Sequence, residues 1–166
     1  MSEKEFDQQV MIFSNKFYGY SFRILGNKDD AKDVIQDLYC KLWSIRTSLK
    51  SVRNIEAYAT TILRNLCIDR IRRNRKVSMN SSNTISLENI QEDSEDNLTS
   101  DWELKLNRVR VALSNLSDVQ QKVFIMRDIE EMEFSEIADL LLVNHENVRV
   151  ILSRARQKIR ELLNGK

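Results

Sequence analysis

The sequence predicts an all-α fold of two small helical modules joined by a flexible acidic linker. The 166 residues include only three glycines and no proline, too few for the turns that a strand-rich chain needs. Apolar residues recur at three- and four-residue steps, as amphipathic helices require. The formal net charge is only +1, but basic residues cluster at 64–76 and at the C-terminal end. We therefore predict modules at residues 5–78 and 102–166.

The linker is predicted over residues 79–101. This stretch is rich in Ser, Asn, Asp and Glu, and residues 80–103 contain no Lys or Arg. Apolar residues are sparse in it, so it cannot bury enough surface to offset the entropy of ordering.

Three helices are expected in the first module. The first is marked by an apolar face of Phe6, Val10, Phe13, Phe17 and Tyr20. Gly26 interrupts the pattern, and Asn27 or Asp29 is the expected N-cap of the second helix. The second helix is expected to bury Ala31, Val34, Ile35, Leu38, Leu42 and Ile45. After a polar loop at 47–53, the third is expected to bury Ile55, Tyr58, Ala59, Ile62, Leu63 and Leu66.

The second module has the pattern of a helix-turn-helix. Ser117 and Gln120 have capping-box spacing and open a helix expected to bury Val119, Val123 and Phe124. A short helix carries Phe134, Ile137, Ala138 and Leu141. After a tight turn, Asn144 caps a last helix expected to bury Val148, Ile151, Leu152, Ala155, Ile159 and Leu162. The second helix of such a pair enters the major groove of DNA. An ordinary helical hairpin with a solvated outer face is the alternative.

The expected groove-facing side of the last helix is polar and partly basic. It comprises His145, Glu146, Asn147, Arg149, Val150, Ser153 and Arg154. Residues near the start of such a helix reach base edges, whereas Arg154, Arg156 and Lys158 lie further along and suit phosphates.

Metal, cofactor and membrane signals are missing from the sequence. Cys40 and Cys67 have no metal-ligand spacing and are expected to pack in the core of a protein from a reducing compartment. There is one histidine, no glycine-rich phosphate loop and no nucleophile–base pair that spacing suggests. The start lacks a hydrophobic signal core. We expect a cytoplasmic protein that needs no cofactor or metal and is not an enzyme.

Three segments resemble the sigma-70 family of RNA polymerase sigma factors. DDAKDVIQDLYCKLW at 29–43 resembles region 2.2, and AYATTILRNLCIDRIRR at 57–73 resembles regions 2.3 to 2.4. IADLL at 137–141 with NVRVILSRARQKIR at 147–160 resembles region 4. Their order and the short acidic linker are similar to the extracytoplasmic-function (ECF) group, which has only regions 2 and 4.

The resemblance implies a protein that binds core RNA polymerase through its β′ clamp helices and β flap. It also implies recognition of the −10 and −35 promoter elements, strand opening, and an anti-sigma factor as a further partner. The implied −10 contacts are Ser48, Lys50, Ser51, Arg53, Arg64, Asn65, Arg70, Arg72 and Arg73. The implied −35 contacts are the seven groove-facing residues. The implied polymerase contacts, Asp33, Gln36 and Asp37, share one helix face.

The chain departs from the region 4 pattern at three positions. Glu131 and Leu142 stand where glycine is common, and Glu133 stands where a Ser or Thr cap is common. Glycine favours positive φ in the turn, so we expect altered local geometry at Leu142. Among the aromatic residues, Trp43 and Tyr58 have two alternative roles that the sequence leaves open: packing in the core, or stacking against bases.

Two other function classes remain as alternatives. A conventional helix-turn-helix regulator would bind duplex DNA as a dimer, with a sensor or dimerisation module before it. A helical enzyme acting on nucleic acid would need a carboxylate cluster or a histidine-containing site, which the sequence does not suggest.

Overall fold

The computed structural model describes residues 1–80 and 101–165, and no β-strand occurs in these two ranges. The all-α prediction is thereby confirmed. The chain divides into two compact units, Met1–Arg70 and Ile71–Lys166. The predicted linker lies outside the described residues except at its ends, so the linker and the module boundaries stay predictions. Among the described helices, none has the length and apolar content needed to cross a bilayer.

Four short or medium helices and one long helix begin the chain. They are α1 (Glu3–Gln9), α2 (Ser14–Leu25), α3 (Lys28–Ser44), α4 (Arg46–Leu49) and α5 (Ile55–Asn80), and the division between the units falls within α5. The second unit continues with α6 (Asp101–Ser114), α7 (Asp118–Phe124), α8 (Phe134–Leu141) and α9 (His145–Leu163).

The first predicted helix is interrupted. A 3₁₀ turn, Met11–Phe13, separates α1 from α2, so a single helix through these residues was the wrong prediction. The N–H of Phe13 donates to the carbonyl of Val10 at 3.2 Å, a three-residue bond that tightens the chain. The break lets Phe6, Val10 and Phe17 all lie in the core, each at most 5% exposed.

The second helix begins where a capping signal predicts it. Asn27 is the N-cap of α3, and its Oδ1 accepts the N–H groups of Asp29 and Asp30, both at 2.9 Å. Gly26 before it has φ +64°, which a glycine adopts without steric cost. The predicted inner face is buried at Ala31, Val34, Leu38 and Leu42, and half-buried at Ile35 and Ile45.

The predicted loop at 47–53 is partly helical. The turn α4 occupies its start, because Leu49 is apolar and is pulled into the core at 1% exposure. The loop ends at Asn54, whose Oδ1 accepts the N–H of Ala57 at 2.9 Å and caps α5. Tyr58 is 41% exposed, so its assignment to the inner stripe of α5 was wrong.

The core of the second unit forms around α9. One cluster joins Val123, Met126, Ile137, Ala138, Val148 and Leu152. A second joins Ala112, Leu113, Leu116, Ala155 and Ile159. The capping box at Ser117 and Gln120 is confirmed by reciprocal hydrogen bonds of 3.3 and 3.1 Å. Val119, one residue into α7, is 45% exposed and does not belong to the core as predicted.

Two non-glycine residues in the described chain adopt left-handed backbone. Glu131 has φ +57° and Leu142 has φ +55°, at two of the positions where glycine was expected. Leu142 ends α8, and the N–H of Val143 returns to the carbonyl of Ala138 at 3.1 Å. The Leu142 side chain is 92% exposed, so it gains little packing for its backbone strain.

The two cysteines differ in environment. Cys40 is exposed, which contradicts the prediction that both cysteines pack in the core, because it lies on the outer side of α3. Cys67 is fully buried in α5, and this burial raises the pKa of its thiol to about 12. An unfolded thiol ionises at about pH 8.5. The folded state therefore loses stability through this group as the pH rises from about 8.5 towards 12.

Alkylation is expected to distinguish the two thiols. In the native chain at pH 8, iodoacetamide should modify Cys40 and spare Cys67, because the reactive species is an accessible thiolate. Mass spectrometry of the intact chain should show one adduct natively and two in urea. Cys40→Ser should abolish the native adduct. A native adduct on Cys67 forming as fast as on Cys40 would contradict the packing described for α5.

Leu142→Gly is expected to stabilise the second unit. Glycine removes a left-handed backbone penalty of about 1–2 kcal/mol but adds unfolded-state entropy, leaving about 0.5–1 kcal/mol in favour of folding. The measurement is urea unfolding followed by circular dichroism. Leu140→Gly is the control: Leu140 is also exposed but helical, so glycine should cost about 1 kcal/mol. A loss of stability in Leu142→Gly would mean that the leucine side chain makes a contact that matters.

Candidate nucleic-acid interface

Helix α9 is capped and half-buried in a way that presents its outer side to solvent. The Oδ1 of Asn144 accepts the N–H of Asn147 at 2.7 Å, as predicted for the N-cap. The stripe that packs inward consists of Val148, Leu152, Ala155 and Ile159. Ile151 and Leu162, also predicted to be buried, are half-buried. All seven predicted −35 residues are exposed: His145, Glu146, Asn147, Arg149, Val150, Ser153 and Arg154.

The exposed residues of α9 lie on two flanks of the helix. At 3.6 residues per turn, Arg149, Ser153 and Arg156 recur at intervals of four and three and share one flank. Asn147 and Arg154 are seven residues apart and share the other. The first flank lines a cleft with aromatic walls. The predicted −35 set is therefore divided between two surfaces that meet along the outermost line of the helix.

Phe134, at the start of α8, contacts the first flank of α9. The guanidinium carbon of Arg149 lies 5.2 Å from the centre of its ring, and that of Arg127 lies 4.6 Å away. The ring of His145 meets it edge-on with centroids 5.6 Å apart. The sequence pattern assigns Phe134 only to the short helix that became α8. Its position beside α9 depends on the turn before α8, which no helical spacing reveals.

Arg156 is engaged within the protein. Its Nε donates to Asp128 Oδ2 at 3.0 Å, and its Nη2 donates to the other oxygen of the same carboxylate. The hydrogen bond that Arg156 donates to Asp128 raises the pKa of the Arg156 guanidinium above its usual range. A bidentate pair of this kind fixes α9 to the turn after α7. Arg156 is thus less suited to a phosphate contact than the sequence suggested.

The outer face of α5 brings together three of the residues considered for single-stranded DNA. Tyr58, Asn65 and Arg72 follow one another at seven-residue intervals, and all three are exposed. Arg72 lies past the division between the units and forms an ion pair with Asp118 of its own, second unit. Arg73 beside it is also exposed. The seven-residue spacing of Tyr58 and Asn65 is visible in the sequence and could have led us to predict Tyr58 on the outer face of α5.

Two of the predicted DNA-binding arginines are held inside the first unit. Arg64 is 5% exposed, so a DNA phosphate cannot approach its guanidinium in this structure. Arg70 Nη1 donates to Asp30 at 2.9 Å and to Asp33 at 3.3 Å, and its side chain is 19% exposed. The basic run at 64–76 therefore does not form one uniform cationic surface.

The predicted rim of the −10 pocket is accessible. Ser48, Lys50, Ser51 and Arg53 are all exposed. The hydroxyl of Ser51 donates to the carbonyl of Ser48 at 2.8 Å, which holds the end of α4 in a tight turn. Lys50 lies 4.0 Å from Glu5 and is 61% exposed, a weak pair that leaves its ammonium accessible.

The predicted polymerase contacts lie together on α3. Asp33, Gln36 and Asp37 are exposed on successive turns. Asp33 also accepts from Arg70, so this surface borders one of the predicted DNA-binding residues. Within the described residues, no group of three His, Cys, Asp or Glu side chains could hold a metal ion.

Known protein families match both units in the expected order. Sigma-70 region 2 matches residues 10–77, and Sigma-70 region 4 matches residues 106–159. The chain is 25% identical over 161 residues to the ECF RNA polymerase sigma factor SigW of Bacillus subtilis, covering 93% of this chain and 86% of SigW. It is 27% identical over 144 residues to the RNA polymerase sigma factor SigV of the same organism, covering 87% and 82%.

A solved structure has the same fold. The co-crystal structure of the sigma factor RpoE in complex with the anti-sigma factor NepR from Bartonella quintana superimposes with a TM-score of 0.59. It is 23% identical in sequence and covers 97% of this chain and 98% of that chain. With both sigma regions matched in order along the chain, and with an ECF sigma factor aligned over 93% of this chain, this protein belongs to the sigma-70 family as a member of its ECF group.

Proposed function

We propose that this chain binds core RNA polymerase, recognises the −10 and −35 elements of promoters, and promotes strand opening. The observation that carries the proposal is the presence of sigma regions 2 and 4, in that order, on one chain. A conventional dimeric regulator would need a sensor or dimerisation module where region 2 stands. The chain supplies binding and strand opening, while RNA synthesis belongs to the polymerase, so we infer that it is not itself an enzyme.

Helix α9 is the proposed reader of the −35 element. Its exposed side fits the major groove, which accepts one α-helix in width. Arg149, on its second turn, is suited to a bidentate contact with guanine. Arg154, on the opposite flank, is suited to a phosphate, which positions the helix without reading sequence. Arg156 is left out of the proposed DNA contacts because its guanidinium is already hydrogen-bonded to Asp128.

The outer face of α5 and the segment after α4 form the proposed −10 surface. Asn65 offers a paired donor and acceptor for a base edge. Tyr58 lies on the same face and is 41% exposed, which suits stacking against an unpaired base. The rim residues Lys50 and Arg53 supply positive charge nearby in the chain. Arg64 is excluded because it is buried, and Arg70 contributes only if it leaves its two aspartates.

The exposed Asp33, Gln36 and Asp37 form the proposed docking site for the β′ clamp helices of polymerase, and the second unit is proposed to meet the β flap. The similar sigma factor RpoE was solved with an anti-sigma factor, and we propose a partner of that class here. These partners place the protein in the cytoplasm.

Docking is tested by the triple variant Asp33→Ala, Gln36→Ala and Asp37→Ala. We expect at least about a tenfold loss of affinity for core polymerase, equal to about 1.4 kcal/mol, and a matching loss of run-off transcription. The control is Glu3→Ala, Asp7→Ala and Gln8→Ala, which removes two acids and one glutamine from exposed positions on α1. Wild-type affinity in the first variant would remove α3 as the docking surface.

Strand opening is tested separately by Asn65→Ala. Holoenzyme carrying this variant should form closed complexes nearly as the wild type does but few open ones. A pre-melted promoter should restore part of the activity, because it removes the few kcal/mol needed to unpair and unstack bases. Permanganate footprinting on matched and pre-melted templates measures this, and Arg149→Ala, a closed-complex defect, should not be rescued equally. If the variant opens matched promoters as the wild type does, Asn65 is not the base-reading residue.

A further inference from the structure

Two guanidinium groups approach the ring of Phe134, and one of them is hydrogen-bonded in place. Arg127 is fixed: its Nη1 donates to the carbonyl of Met132 at 2.7 Å and lies 3.7 Å from Glu133 Oε1. The left-handed backbone of Glu131 turns the chain just before that carbonyl. These contacts therefore hold the Arg127 guanidinium beside the Phe134 ring. Arg149, on α9, is exposed, and its guanidinium carbon lies 5.2 Å from the centre of the ring.

An aromatic ring holds a guanidinium in a way that a carboxylate does not. The negative face of the ring attracts the cation but accepts no strong hydrogen bond, so the N–H groups of the guanidinium remain available. Arg156, on the same flank of α9, shows the opposite case, because the carboxylate of Asp128 accepts two of its hydrogen bonds. The ring thus restricts where the Arg149 side chain can lie without using the donors that a base edge would need.

The same ring contacts the first turn of α9. His145 precedes Arg149 by four residues, so the two side chains lie one above the other on the helix. Phe134 touches both, at 5.6 Å between ring centroids and 5.2 Å from the guanidinium. The edge-on contact with His145 therefore holds the Phe134 ring against the first turn of α9, beside Arg149.

We propose that Phe134 is a positioning residue for −35 recognition, which holds the Arg149 guanidinium in the orientation that reads a base. The inference rests on the proposed function, in which Arg149 contacts the −35 element. Losing the ring should leave the helix in place but allow the Arg149 side chain to sample other orientations. The promoter would still be bound, but with weaker discrimination at the base that Arg149 reads.

The test uses holoenzyme assembled from core polymerase and the full chain. It transcribes a promoter library randomised in the −35 element, and the transcribed templates are sequenced. The variants are Phe134→Leu, which keeps an apolar side chain without a ring, and Phe134→Tyr, which keeps the ring. Arg149→Ala and the double variant of Phe134→Leu with Arg149→Ala complete the cycle. Phe134→Met replaces the leucine variant if the latter fails a thermal-unfolding check.

Arg149→Ala should first identify the base position whose preference depends on Arg149. At that position Phe134→Leu should lower discrimination by about threefold to tenfold and leave the other positions unchanged. Phe134→Tyr should retain the wild-type preference. The double variant should match Arg149→Ala, because a residue that acts through Arg149 has no further effect once Arg149 is gone.

Two results would overturn the inference. The first leaves the proposed function intact, whereas the second also contradicts the assignment of Arg149 to the −35 element. If Arg149→Ala alters one base preference but Phe134→Leu does not, or if the two effects add in the double variant, Phe134 is only a packing residue and the proposed function stands. If Arg149→Ala leaves every preference unchanged, Arg149 is not the reader, and both the −35 assignment and the role of Phe134 are wrong.

Discussion

Burial of the apolar stripe of α9 determines which side of that helix is exposed. Its first half, Val148 and Leu152, completes the cluster with α7 and α8. Its second half, Ala155 and Ile159, completes the cluster with α6. Fully burying one leucine side chain stabilises the folded state by about 1.5–3 kcal/mol. Burial of this stripe therefore fixes the rotation of α9 about its axis and its position along that axis. The exposed flanks, and the choice of which arginine faces the Phe134 ring, follow from that rotation.

The parts of this fold that sequence reasoning predicts are those with local causes. An N-cap needs only the residue and the helix after it, so Ser117 and Asn144 were recognised as starts, and Asn27 was one of the two candidates for α3. The exposed side of α9 follows from one helical period. The same holds for Asp33, Gln36 and Asp37, because apolar neighbours on α3 fix which face turns inward. For these elements the amphipathic pattern and the packed structure agree.

The parts that were missed depend on what packs against a helix from elsewhere. Arg64 and Arg72 both stand in one basic run, yet Arg64 is buried within the first unit and Arg72 is exposed in the second. Val119 has the chemistry of a core residue, but α7 turns it outward. Phe134 has ordinary helical spacing, and its contact with Arg149 depends on two left-handed turns at residues that are not glycine. The free-energy cost of such left-handed backbone is offset by tertiary contacts elsewhere in the fold rather than by local propensity.

The shared hydrogen bonds of Arg70 have a thermodynamic consequence. Its guanidinium is bonded to Asp30 and Asp33, and Asp33 belongs to the surface proposed for polymerase. A ligand that draws Asp33 away leaves Arg70 with one aspartate, and a phosphate that draws Arg70 away leaves the Asp33 carboxylate without that cation. Binding free energies that depend on the same ion pair are linked, and the linkage is equal in both directions. Substitutions on either side of that pair are therefore expected to change both affinities together.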